Sequence, residues 1–250
     1  MNLWLPLVKR EFQEDFKASR GLAFFLIAAL VLSAFTVLLV SNTELSLLDN
    51  AQAVYMMAGI VLALAALVAV IRGSDGFAGE RDRLTLEPLL LTPISGPGLA
   101  AAKLGGLLFS WLMLFILAIP YLWAVGSTGQ NLLPTFQYLF LAGTLVVLVC
   151  GGAALALSAR LKTFKGVLSI ALAMLLLFAS PVLLGPSLRQ SAVGRLLDLA
   201  NPMAAALNTL DSVIIDSQGL GWQLPRLAIM TGYALAVLGW LFAATRRLEP

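Results

Sequence analysis

Residues 51–71 read AQAVYMMAGIVLALAALVAVI and contain no charged side chain. About 20 apolar residues in a helix span the hydrocarbon core of a bilayer, because each residue adds roughly 1.5 Å. The whole 250-residue chain has the same character, being 60% hydrophobic and 12% charged, whereas soluble domains carry about 25% charged residues. We therefore predict an all-α integral membrane protein.

Apolar runs of this length occur six times along the chain. They predict six transmembrane helices at 21–40, 51–71, 104–125, 136–158, 167–185 and 227–245. The first run is too long and too far from the N-terminus for a signal peptide, so we expect it to be retained. No Asp, Glu, Lys or Arg lies well inside a predicted span. This argues against a proton- or sodium-coupled transporter, because such transporters use ionisable groups within the membrane.

The basic residues alternate between the two sides of the predicted bundle. Thirteen lie in the N-terminal stretch, the second and fourth loops and the tail, and three (Arg189, Arg195 and Arg226) lie on the other side. Excess Lys and Arg marks cytoplasmic loops, so both termini are predicted to be cytoplasmic. The same rule accounts for the net charge of +3 without nucleic acid as a partner.

The chain lacks the residues that several kinds of chemistry require. The chain has no histidine and a single cysteine, Cys150, which excludes internal disulfides, Cys/His metal sites and Ser-His or Cys-His nucleophile pairs. It has no G-x-x-x-x-G-K-[ST] phosphate loop, so it cannot bind ATP in that manner. We also reject a membrane-embedded enzyme, because the spans hold no carboxylate. The chain is predicted to be no enzyme and to hold no cofactor.

The stretch 3–19 is amphipathic. Val8, Phe12 and Phe16 follow helical spacing, Trp4 suits the headgroup level, and Arg10 falls elsewhere on the helix. This pattern favours an interfacial helix on the cytoplasmic membrane surface. The alternative is a plain N-terminal flank that serves only topology.

The second loop, 72–103, combines clustered charges with an apolar set. Glu80, Arg81, Asp82 and Arg83 precede a leucine-rich stretch, and the turn 96–98 closes the segment. A short helix with a charged end and an apolar face is suited to a groove on a partner protein, where opposite charges set its orientation. The alternative is that the basic residues only keep the loop inside.

Residues 79–95, GERDRLTLEPLLLTPIS, resemble the hallmark segment of ABC-2 type transporter permeases, roughly G-E-R-E-x-G-T-L-E-x-L-L-x-T-P-V-S. Asp82 and Ile94 are conservative replacements, and Leu84 stands where the family usually has Gly. The identical positions are Gly79, Glu80, Arg81, Thr85, Leu86, Glu87, Leu89, Leu90, Thr92, Pro93 and Ser95.

The resemblance implies a coupling helix in this loop that fits a cleft on an ABC-type ATPase. It implies two ATPase subunits, which bind ATP and Mg, and a second permease chain, either a copy of this one or a related one. It also likens the stretch 3–19 to the family's N-terminal interfacial helix. The residues expected to contact the ATPase or to support the coupling helix are Glu80, Arg81, Asp82, Arg83, Thr85, Leu86 and Glu87.

One transmembrane domain, 1–250, is predicted. Its parts are the interfacial helix 1–20, spans at 21–71, the coupling loop 72–103, spans at 104–185, an outer-side segment 186–225, and the last span with its tail at 226–250. Asn201-Pro202 suits a helix start in the outer segment, which is either re-entrant or an ordinary structured loop. The small residues of the fourth span, from Gly143 to Ala156, either pack against neighbouring helices or line a pathway.

The function that these features favour is the permease subunit of an ATP-binding cassette exporter, in a prokaryotic inner membrane, with lipids and a separate ATPase as partners. The alternative is a non-transporting scaffold or a substrate-capture subunit of a larger complex. The resemblance in 80–95 argues against that alternative, since it is the segment through which permeases meet their ATPase.

Overall fold

The computed structural model describes residues 19–41, 50–86, 95–127, 131–180 and 200–246, and these residues are almost entirely helical. Seven helices follow in chain order. They are α1 (Ser19–Ser41), α2 (Asn50–Ser74), α3 (Gly96–Gly126), α4 (Leu132–Arg160), α5 (Phe164–Ala179), α6 (Pro202–Ile214) and α7 (Leu220–Thr245).

Five of these helices are long and apolar enough to cross a membrane, namely α1, α2, α3, α4 and α7. They coincide with five of the six predicted spans. The described part of the remaining span, predicted at 167–185, is the 16-residue helix α5, and 181–185 lie outside the described residues. A sixth crossing therefore stays a prediction, as does the interfacial helix with Trp4, Val8, Arg10, Phe12 and Phe16, which also lies outside them.

The predicted loop 72–103 is largely helical at its two ends. After Ser74, α2 continues through a π-helical turn, Asp75–Gly79, to Asp82. At the other end, the Ser95 hydroxyl accepts a hydrogen bond from the Gly98 amide and caps α3. Helical hydrogen bonding does not stop where an apolar run stops, because charged residues also form helices well. Arg72 and Lys103 therefore lie inside helices rather than in the loop.

Helix α4 is the centre of the bundle. It contacts α2, α3, α5, α6 and α7, and 72% of its most apolar stretch is buried, against 17% for α1. Its small residues allow a close approach to α2, since a Cβ atom at Gly73 would lie 2.5 Å from the Gly151 carbonyl oxygen. These contacts agree with the packing interpretation of the fourth span.

The short helix α6 begins where Asn201-Pro202 predicted a helix start. The Asn201 side chain accepts hydrogen bonds from the Met203 and Ala204 amides, and Pro202 occupies the first turn. Nearly every residue of α6 is buried against α2, α4, α5 and α7. Arg226 of α7 further fixes α6 by donating to the Asn208 carbonyl and the Ser212 hydroxyl.

Candidate functional site

Leu84, two residues beyond the end of the α2 extension at Asp82, has a left-handed backbone with φ of 58°. The Thr85 amide donates to the Glu80 carbonyl, and the Leu84 amide donates to the Arg81 carbonyl. This pair of bonds is the Schellman arrangement, which closes a helix at a left-handed residue and strongly prefers glycine there. Leu84 thus has the conformation that glycine favours, at the position where the resembled family pattern has Gly. The Leu84 side chain is 82% exposed.

The first charged residue of the segment is buried against α3. Glu80 and Lys103 are 8% and 6% exposed, and the Lys103 ammonium donates to the Glu80 carboxylate. The ammonium also lies 5.7 Å from the centre of the Phe77 ring, within cation–π range. Glu80 Oε2 has no hydrogen-bond partner among the described residues, so this ion pair is the main compensation for burying the carboxylate.

Arg81 binds the end of α4. Its guanidinium donates to three backbone carbonyls, those of Ser158 at 3.2 Å, Ala159 at 3.0 Å and Leu161 at 2.7 Å. The last carbonyls of a helix lack partners within the helix and carry the negative end of its dipole. Arg81 therefore caps α4 from another helix and links the two ends.

Asp82 binds the start of α5, where the Phe164 amide donates to its carboxylate at 3.0 Å. A carboxylate at a helix N-terminus satisfies a free amide and is favoured by the helix dipole. Arg83 forms an ion pair within the same segment, between its guanidinium and the Asp75 carboxylate. That pairing depends on Gly79, since a Cβ atom there would overlap Asp75 Oδ1.

We call these residues the inner charged cluster: Asp75, Glu80, Arg81, Asp82, Arg83 and Lys103. Through it, one segment contacts three helices, α3 by Glu80, α4 by Arg81 and α5 by Asp82. The structure therefore places four consecutive predicted site residues in contacts within the chain.

The other predicted site residues have different positions. Thr85 is exposed and its hydroxyl donates to the Glu80 carbonyl. Leu86 is only 5% exposed and belongs to the hydrophobic core. Glu87 lies outside the described residues, so its predicted role at the ATPase stays a prediction.

Sequence reasoning missed two members of the cluster, Lys103 and Asp75. Lys103 counted only toward the charge of the loop, although it is isolated in an apolar stretch that begins at Leu99. A lone lysine near the end of a predicted span is a signal for a buried partner, because an unpaired ammonium is costly in that environment. Its partner, 23 residues earlier, could not be named without the fold.

The cluster links the end of the α2 extension to α3, α4 and α5. Apart from Glu80 Oε2, the cluster's side chains are engaged in ion pairs, caps and backbone hydrogen bonds. Within the described ranges, no group of three or more His, Cys, Asp or Glu side chains is placed to hold a metal ion.

A family model described as ABC-2 family transporter protein matches residues 5–245, nearly the whole chain. No curated protein matches the chain.

Proposed function

This chain is a member of the ABC-2 family of transporter proteins, and from that premise we propose that it is the permease subunit of an ATP-binding cassette exporter. Separate ATPase subunits, two per transporter, bind and hydrolyse ATP with Mg. A second permease chain, either a copy of this one or a relative, completes the pathway. The substrate leaves outward across a prokaryotic inner membrane in which both termini face the cytoplasm.

The observation that carries this proposal is the inner charged cluster. A segment that only touched a partner protein would need no links to the helices behind it. Here Glu80, Arg81 and Asp82 bind three different helices, so a displacement of the segment also displaces the ends of α3, α4 and α5. Packed elements of this kind move as units and pass small shifts onward.

The segment divides into two parts. Glu80, Arg81 and Asp82 support the segment and transmit its movement to the helices. The exposed side chains of Leu84 and Thr85, together with Glu87, contact the ATPase. An apolar side chain that is 82% exposed at a charged end of the bundle is suited to a pocket on a partner, where apolar anchors supply much of the binding energy. The charges near it set the orientation of docking.

The proposed cycle is alternating access. ATP-driven closure of the two ATPase subunits displaces both segments, the attached helices tilt, and the pathway opens outward. The ATPase drives this change only because its closed form binds one permease conformation better than the other, since differential affinity alone shifts such an equilibrium.

The test is to purify the tagged chain gently from native membranes and to identify the proteins that co-purify, with Leu84→Asp and Leu84→Gly beside the natural sequence. We expect an ABC-type ATPase in about equal amount. Leu84→Asp should abolish its recovery, because an unpaired carboxylate at the contact costs several kcal/mol. Leu84→Gly keeps the left-handed backbone and should weaken recovery less.

Thr163→Asp is the matched control. It adds the same charge at the same end of the bundle, at the exposed cap of α5, and should leave the ATPase bound. Absence of any ATPase, under conditions that keep other membrane complexes intact, would favour the scaffold or substrate-capture function. Equal recovery with all three variants would remove Leu84 from the contact.

A further inference from the structure

Four basic side chains at one end of the bundle are not used by the inner charged cluster. They are exposed and lie at the end of α4, in the α4–α5 connection, at the start of α5 and at the end of α7: Arg160, Lys162, Lys165 and Arg246. We call them the basic patch. None of the ion pairs formed within the described part of the chain involves these four. The patch is therefore open to an external anion.

An aromatic side chain adjoins the patch. The Arg160 guanidinium carbon lies 5.8 Å from the centre of the Trp240 ring on α7, which is cation–π range. Tryptophan is enriched at the depth of lipid headgroups, because its ring is apolar and its N–H is polar. The pair thus joins α4 to α7 with one member suited to phosphate and the other to the glycerol region.

The helices that carry the patch also present apolar side chains outward. Leu176 and Leu177 of α5 are 69% and 67% exposed, and Leu235 of α7 is 64% exposed. Ile170, five residues after Lys165, is also exposed. The cations suit the charged headgroup of a phospholipid, and the apolar surface next to them suits its acyl chains.

The basic patch lies beside the contacts of the inner charged cluster, but its side chains do not take part in them. Asp82, the carboxylate at this corner, is held by the Phe164 amide, and Arg81 is held by the carbonyls at 158–161. Arg160, Lys162 and Lys165 are exposed and take no part in these hydrogen bonds. A ligand bound there would add a contact to the same corner without displacing the inner charged cluster.

We propose that the ends of α4, α5 and α7 form a binding site for an anionic phospholipid. Arg160, Lys162, Lys165 and Arg246 contact its phosphate-bearing headgroup, Trp240 contacts its glycerol region, and the acyl chains lie along α5 and α7. Cationic clusters immediately beside membrane-spanning helices attract anionic headgroups in this way. The site is independent of the proposed ATPase partner.

The test uses the purified full chain in mixed micelles with equal amounts of phosphatidylglycerol and phosphatidylcholine. Native mass spectrometry counts the lipids that each variant retains. We expect a preference for phosphatidylglycerol that falls about fivefold for each cation removed, through Lys162→Gln, Lys165→Gln and Arg246→Gln singly and combined. Trp240→Leu should lower retention of both lipids at this site.

Two controls separate the site from general charge. Lys162→Arg with Lys165→Arg keeps the charge and should keep the preference. Arg83→Gln removes a basic residue that is already paired with Asp75 and should also leave it unchanged. Because no ATPase is present, failure here leaves the permease proposal untouched.

Three results would overturn the lipid site. One is equal retention of the two lipids by the natural sequence. Another is an equal loss with Arg83→Gln, which would show a net-charge effect. The third is displacement of phosphatidylglycerol by soluble glycerol phosphate, which would indicate a site for small anions instead.

Discussion

At the scale of single residues, the ion pair between Lys103 and Glu80 is the contact that buries the most charge. Both side chains are almost fully buried, and taking two charges out of water is costly unless they stay paired. The surface pair between Arg83 and Asp75 differs, because its side chains are 45% and 42% exposed. Exposed pairs of that kind contribute about 0–1 kcal/mol.

We predict that Lys103→Met lowers the free energy of unfolding by about 3 kcal/mol, because it leaves the Glu80 carboxylate buried without a counter-charge. Adding Glu80→Leu should restore most of the loss, since two apolar side chains replace two charges. Arg83→Gln is the control and should cost less than about 1 kcal/mol. Unfolding by a denaturing detergent measures all three. Equal losses for Lys103→Met and the double variant would contradict the ion-pair explanation.

Leu84 shows how one residue keeps a backbone conformation that its type disfavours. A left-handed L-residue costs about 1–2 kcal/mol, yet the two hydrogen bonds from the Leu84 and Thr85 amides close the helix all the same. The tertiary contacts of Glu80, Arg81 and Asp82 fix the residues before Leu84. The unfavourable backbone conformation therefore occurs at Leu84 itself.

At the scale of helices, the contact of α2 with α4 sets the geometry of the bundle. Gly73 faces the Gly151 carbonyl, and the Ala154 methyl group lies 2.9 Å from where a Cβ atom at Gly73 would be. The backbone of α4 cannot move aside as a side-chain tip could. A larger residue at Gly73 must therefore push the two helices apart.

We predict that Gly73→Ala destabilises the protein by about 1–3 kcal/mol through overpacking. Gly239→Ala on α7 is the matched control, because nothing lies within 4 Å of a Cβ atom there. On helix propensity alone, alanine is favoured over glycine by about 1 kcal/mol, so the control should be neutral or slightly stabilising. Thermal unfolding in mild detergent compares the two. A similar loss in both variants would mean that α2 and α4 do not need this approach.

At the scale of the whole molecule, α4 extends from one end of the bundle to the other. Its 29 residues extend roughly 43 Å at 1.5 Å per residue, more than the hydrocarbon core of about 30 Å. Lys162 lies just beyond its C-terminal end, while Ser217 contacts Asn131 at its N-terminal end. The two residues should therefore lie on opposite sides of a membrane.

Labelling tests the proposed orientation. In a Cys150→Ala background, a membrane-impermeant maleimide added to intact cells should modify Ser217→Cys and leave Lys162→Cys unmodified, because the charge bias predicts a cytoplasmic end for Lys162. Permeabilised cells should show both modified. Modification of Lys162→Cys in intact cells would reverse the proposed orientation and, with it, the side of the membrane proposed for the ATPase.

The sequence by itself determined five of the six predicted membrane-spanning helices and the family. Each run such as 51–71 must be helical in a bilayer, because no water there satisfies an open backbone, so composition and length suffice. The start of α6 at Asn201-Pro202 was also predictable, because capping is a local interaction. The motif at 79–95 carried the family resemblance, which the match over residues 5–245 confirms.

The tertiary structure alone decided what the motif's charges contact. Arg81 finds its carbonyls more than 75 residues away, and Glu80 finds Lys103 on another helix. Such pairs depend on how α2, α3 and α4 pack, which no local pattern specifies. Helix α2 and its extension also continue beyond the predicted span 51–71, to Asp82, since an apolar run marks the extent of a membrane crossing and not the end of a helix. A buried charge is stable only where packing brings its partner, and packing is a property of the whole bundle.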